Sequence, residues 1–133
     1  MTDVEGSDKF AGLPERRRLG LETMETVYGF DMTDGEGDFF GYTADHLFGE
    51  IWQRPGLSVR DRRLLLIGLL AGQGADDVLG IQVPAALANQ ELDAEALREI
   101  VIFLCHYAGW PQGARLNSVV ETAIAKAERR SRG

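Results

Sequence analysis

Residues 48–65 read FGEIWQRPGLSVRDRRLL, and the apolar run LLLIGLLA occupies 64–71. A proline–glycine turn thus brings four arginines, Arg54, Arg60, Arg62 and Arg63, to the mouth of an apolar segment. Pro55 disfavours helical geometry at Arg54. Ser58 stands as an N-cap, with Asp61 at the capping-box position three residues later, so a helix is predicted to start there. A helix apolar on all sides over 64–71 belongs at the centre of a fold or under a partner. The arginines allow two readings, a solvated helix start or an anion site. Positive charge at a helix N-terminus opposes the helix dipole. That placement favours a carboxylate clamp formed by Arg62 and, after it, Arg63. Arg54 is assigned to the turn and Arg60 to the exposed side.

Outward from this stretch the pattern is helical. PERRRLGLETMETVYG (14–29) sets Leu19, Met24, Val27 and Tyr28 on one face, with Gly29 as its end. FFGYTADHLFGEIWQ (39–53) gives a second helix. GQGADD (72–77) is a break; it lacks the third glycine and the preceding strand of a dinucleotide-binding turn. A helix over 76–89 contains Pro84, which predicts a kink near Gln82. Asp93 caps AEALREIVIFLCHYA (94–108), Gly109 closes it, and Pro111 opens a last helix to about Arg129. No segment alternates as a strand does. The expectation is an all-α chain of about six helices, with 64–71 and 97–108 as the central pair. Residues 1–13 read as a flexible tail and 14–130 as one helical domain. Glycines inside the helical patterns, Gly49, Gly68 and Gly80, and two helices apolar nearly all round favour close helix contacts and a homo-oligomer.

Composition removes several function classes. The 133 residues are 44% hydrophobic and 26% charged, with a net charge of -7. That acidity argues against nucleic acid as a partner, since phosphate binding needs a basic surface. MTDVEGSDKF has no apolar core of a signal peptide, and no run approaches the ~20 residues that span a bilayer, so a cytoplasmic protein without membrane contact is expected. The single cysteine, Cys105, excludes an internal disulfide and a CxxC centre. FDMTDGEGD (30–38) lacks the closing glutamate of a calcium loop. Two histidines about sixty residues apart form no metal-ligand set.

The chemistry-bearing residues are few. His46 and Glu50 stand four apart on the second helix and make the best acid–base dyad in the chain. His106, near the end of an apolar helix, is the other proton carrier, or a histidine bonded to a carbonyl. Trp52, Trp110, Tyr42 and Tyr107 are explained by core packing, with an aromatic lining for a flat ligand as the other reading. Cys105 reads as a small buried hydrophobe.

Taken in order, GEIWQRPGLSVRDRRLL, AALANQELDAEALREI and HYAGWPQGA resemble the γ-carboxymuconolactone decarboxylase family of the alkylhydroperoxidase D-like superfamily. RRRLGLETMETVYG resembles the family's opening helix, so the likeness covers about 14–128. It implies an all-helical fold, trimers or hexamers, active sites near subunit contacts, and neither organic cofactor nor metal. The redox branch's CxxC falls on Ala75 and Val78, its histidine on Gln82, and its relay glutamate near Arg63. A thiol peroxidase is therefore not expected. The decarboxylase branch usually also keeps a histidine where Gln82 stands, and glutamine carries no proton near neutral pH.

The resemblance and the residues together predict a cofactor-independent lyase or isomerase for a small anionic lactone or aromatic acid. Arg62, helped by Arg63, would fix the anion, with Trp52 and Trp110 lining the site. Gln82 would donate a hydrogen bond. His46 with Glu50, or His106, would move the proton. The alternatives are an oligomeric binding protein that has lost the chemistry, and a biosynthetic cyclase or rearrangement enzyme using the same pocket.

Overall fold

The computed structural model describes residues 9–133, which are helical and contain no strand. They group into two compact units, one ending at Leu57 and the other starting at Ser58. No described helix is long and apolar enough to cross a membrane. Residues 1–8 of the expected tail lie outside the described part. Of the remainder, Phe10 is buried and the Lys9 ammonium lies 2.5 Å from the Glu25 carboxylate.

The first unit is built on α1 (Glu15–Tyr28), ended by Gly29 in the left-handed conformation. A short α2 (Asp38–Gly41) runs directly into a π-helix, Tyr42–Ile51, whose wider winding continues to the Trp52 N–H donating to the Leu47 carbonyl at 2.9 Å. Sequence periodicity predicted an ordinary helix here. Leu21, Met24 and Val27 of α1 are buried, as are Ala44 and Phe48 of the π-helix and Trp52 after it. Trp52 stacks on Phe48 at 5.7 Å. Two glycines permit the close approach of α1 and the π-helix. A Cβ on Gly20 would lie 1.8 Å from the Ala44 carbonyl oxygen, and one on Gly49 would lie 2.6 Å from that of Arg16. Arg17 ties the intervening loop down. It donates to Asp45 and Asp34 at 2.6 Å each and to the Gly35 carbonyl at 3.2 Å. The hydrogen bond from Arg17 holds the Asp45 carboxyl below its ordinary value.

The second unit contains α3 (Val59–Gln73), α4 (Asp76–Ala88), α5 (Ala94–Ala108) and α6 (Trp110–Arg132). Its helix starts follow the expected chemistry: Ser58 Oγ accepts from the Asp61 N–H at 3.0 Å, and Asp93 Oδ1 from the Ala96 N–H at 2.8 Å. Helix α4 continues through Pro84. The core joins Ile67 and Leu70, Leu79 and Val83, Leu97 and Val101, and Leu116 and Val120. Each pair comes from one of the four helices. Cys105 is buried there, at the crossing of α5 and α6, where a Cβ on Gly113 would meet its Sγ at 2.2 Å.

The expected central pair, 64–71 and 97–108, is corrected by this arrangement. Helix α6 packs on each of the other three, while α3 and α5 keep one apolar face outward. Leu65 and Leu69 on α3, and Ile102, Phe103 and Tyr107 on α5, are exposed, as is Trp110. Tyr42 is exposed too. Core packing therefore does not account for Tyr42, Tyr107 or Trp110. Gly68 and Gly80, expected at close contacts, have open space where a Cβ would go. Urea denaturation should separate the two kinds of glycine. Gly20→Ala should destabilise by about 2 kcal/mol or more, because backbone must move. Gly68→Ala should be neutral or stabilise by up to about 1 kcal/mol through helix propensity.

Candidate functional site

In the second unit the arginines divide by helical register. Arg63 is on the face of Ile67 and Leu70 and is completely buried, whereas Arg62 is half-buried on the neighbouring face. The Arg63 guanidinium donates from Nε and Nη2 to the two carboxylate oxygens of Glu91 at 2.7 and 3.1 Å, and from Nη1 to the Gln82 side-chain oxygen at 2.7 Å. Gln82 is itself buried. Thus Arg63, not Arg62, is the residue that meets Gln82. Arg60, expected to be a bystander, donates to the Glu91 backbone carbonyl at 3.0 Å. Asn89 also reaches the Glu91 carboxylate, at 3.3 Å. Gln82 presents its oxygen to a cation here, so it uses its acceptor where the sequence reading gave it a donor's role.

In the first unit the dyad forms as its spacing predicts: His46 Nδ1 lies 2.8 Å from Glu50 Oε1. Arg16 Nη1 approaches the same carboxylate oxygen at 3.8 Å. The hydrogen bond from His46, and then the charge of Arg16, hold the Glu50 carboxyl below its usual 4.5. An ionised Glu50 accepts, which assigns the proton on Nδ1 to the imidazole and leaves Nε2 as the ring nitrogen Glu50 does not engage. His46, Arg16, Arg17, Tyr42 and Asp45 line an open cavity of about 540 Å³ beside the π-helix. Arg17 is held by two carboxylates, whereas Arg16 is largely exposed, with Glu50 at 3.8 Å and only the longer-range charge of Asp45 besides. The cavity therefore offers a cation with spare donors and an imidazole backed by a carboxylate.

The other expected residues take different places. His106 Nδ1 meets the Ile102 carbonyl at 2.8 Å, and its ring lies edge-on to exposed Trp110 at 5.6 Å. Trp52 is a core residue. Among the described residues no cluster of His, Cys, Asp and Glu could hold a metal. Sequence reasoning missed Glu91 and Arg16. Glu91 lies in the stretch AALANQELDAEALREI, but nothing in its turn marks it as a partner of Arg63, and Arg16 is some thirty residues from His46. The inward facing of Arg63 was signalled by its i,i+4 and i,i+7 relation to Ile67 and Leu70.

The described residues are thus helical, with buried Arg63 and Gln82 in the second unit and the His46–Glu50 pair in the first. The sequence profile of the carboxymuconolactone decarboxylase family matches residues 37–122, and the chain belongs to that family. It is 30% identical over 105 residues to 4-carboxymuconolactone decarboxylase of Acinetobacter baylyi, covering 73% of this chain and 78% of that protein. It is 41% identical over 77 residues to nitrosuccinic acid decarboxylase npaB of Metarhizium robertsii, covering 58% of this chain and about half (53%) of that protein.

The Arg63 cluster yields a stability test. Glu91→Ala should destabilise by about 3–5 kcal/mol in chemical denaturation, because it strands a buried cation. Arg63→Met combined with Glu91→Gln should recover much of that loss. Arg60→Ala should lower stability by about 1 kcal/mol or less, since its bond is exposed.

Proposed function

We propose that the protein is a cofactor-independent decarboxylase of a small carboxylic acid, with the chemistry carried by the His46–Glu50 dyad. Membership of the family and two relatives named as decarboxylases support the reaction class. The observation that carries the site is the 2.8 Å contact of His46 with Glu50, with His46 on the wall of a cavity that Arg16 also lines. Loss of carbon dioxide leaves the bonding electron pair on carbon, and a proton must replace the carboxylate there. The substrate therefore needs a neighbouring acceptor group to delocalise that pair, as the nitro group does in nitrosuccinic acid. Arg16 pairs with a carboxylate of the substrate. His46, charged and backed by Glu50, delivers the proton from Nε2. Glu50 is held below 4.5, so it stays an ionised partner through neutral and mildly acidic pH and is lost only as pH falls further.

Carbon dioxide release from nitrosuccinic acid, 4-carboxymuconolactone and related lactone or aromatic acids tests the reading. His46→Gln should lower kcat by roughly a hundredfold or more. Arg16→Ala should act mainly by raising KM. Undiminished turnover in His46→Gln would place the proton donor elsewhere. Binding of these acids without turnover in the unaltered protein would favour the oligomeric binding protein that has lost the chemistry. That second reading is supported by Arg63 and Gln82, which are hydrogen-bonded to each other, with the rest of the Arg63 fork taken by Glu91.

The assembly belongs to the same proposal. A homotrimer or homohexamer that covers the exposed face of Leu65, Leu69, Phe103, Tyr107 and Trp110 would remove from water more large apolar surface than a monomer commonly exposes. Light scattering should give three or six times the 14.6 kDa chain mass. A stable monomer at micromolar concentration would refute it.

A further inference from the structure

We infer that the groove between α4 and α6 is a second small-molecule site, for an amphipathic aromatic carboxylate, separate from the His46 cavity. Two cavities of about 380 and 290 Å³ lie side by side here, sharing Pro84, Ala123 and Lys126 as walls. The space exists because the facing residues are too small to fill it. Ala123 and Ala127 stand on α6, and Pro84 and Gly80 on α4, where a Cβ on Gly80 would meet nothing within 4 Å. One lobe runs along Leu87 and Ala127 to Arg130. The other ends among Gly80, Ser118 and Thr122.

The charge pattern selects the ligand. The chain carries 21 acidic against 14 basic residues, and among the described residues seven of those cations form ion pairs with an acid, as Arg98 does with Glu121 and Arg115 with Asp76. Lys126 and Arg130 are four residues apart on one side of α6, and among the described residues neither forms an ion pair with a carboxylate. Two such cations over an apolar slot in an acidic protein are complementary to a carboxylate with an apolar body. The far lobe is polar in a different sense. Pro84 has no N–H, so the Gly80 carbonyl lacks its helical donor four residues on. With the hydroxyls of Ser118 and Thr122 close by, that lobe suits a ligand carrying a hydroxyl donor. The carboxylate lies between Lys126 and Arg130, the ring packs on Pro84 and Ala123, and the hydroxyl enters the Gly80 lobe.

The test uses the full chain and 3-(4-hydroxyphenyl)propanoate as probe, followed by calorimetry and by chemical-shift changes of α4 and α6 amides. Saturable binding that perturbs residues around Pro84 and Ala123 is expected. It should weaken roughly tenfold or more in Lys126→Gln/Arg130→Gln, a loss of about 1.4 kcal/mol. Replacing the probe's carboxylate by the amide should weaken it similarly, and 3-phenylpropanoate should bind less tightly than the phenol. Ala123→Trp should abolish binding by filling the slot, while Arg129→Gln and His46→Gln should leave it unchanged. No binding at millimolar probe, including through occupation of the groove by a second copy of the chain, would overturn the inference. So would binding indifferent to Lys126 and Arg130, or binding lost in His46→Gln. Because the probe reads binding and not turnover, this result is independent of whether the His46 cavity is catalytic.

Discussion

The Arg63 guanidinium is shut off from water, and the interior of the second unit is arranged around that fact. A dry cation is tolerated only if a carboxylate faces it in good geometry and its remaining N–H groups find acceptors. Glu91 supplies the two-pronged carboxylate and Gln82 the amide oxygen. These demands fix more than three side chains. Glu91 has to lie in the turn after α4, which is held by its own N–H donating to Ala86 and by Arg60 on its carbonyl. Gln90, beside it, takes a positive φ of 60° so that the chain can turn there. The end of α4 and the approach to α5 are thus specified by an ion pair that an apolar pair of equal volume would satisfy without specifying anything.

What was legible in the sequence follows from the range of the forces involved. Helix ends were legible because caps are local: Ser58, Asp93 and Gly29 act within a few residues, and each ends or starts a helix where its chemistry predicts. The facing of the apolar helices was not. In LLLIGLLA every rotation buries a hydrophobe, so the run itself gives no preferred side. Arg62 and Arg63 differ by one step of the helix, and only the spacing to Ile67 and Leu70 separates the buried guanidinium from the half-buried one. The aromatic residues of α5 mislead in a related way. Phe103, Tyr107 and Trp110 are apolar enough to require cover, but hydrophobicity does not say whether that cover comes from the same chain.

The first unit shows the same limit in backbone form. His46 and Glu50 were readable as a pair because side chains four apart meet on a helix. The π winding that carries them was not; it coincides with a tertiary contact, the approach of α1 at Gly20 to the Ala44 carbonyl, which no local pattern records. Such widened turns occur preferentially at functional sites. Here it places His46, Tyr42 and Asp45 along one cavity. Arg16 joins them from α1, and nothing in a linear pattern links positions that far apart.

Two arginines with acids beside them, Arg63 and Arg16, differ in whether they have room for a further anion. Arg63 has a bidentate carboxylate, an amide oxygen and no exposure. Admitting a ligand there would mean leaving Glu91 buried and unpaired, a penalty of several kcal/mol. Arg16 touches one carboxylate oxygen at 3.8 Å and keeps most of its surface in water. In the proposed function a substrate carboxylate would add a partner to Arg16 without removing one. On that reading Arg16 can take up the carboxylate because its electrostatics are unsaturated, an option that the buried ion pair of the second unit has closed off for Arg63.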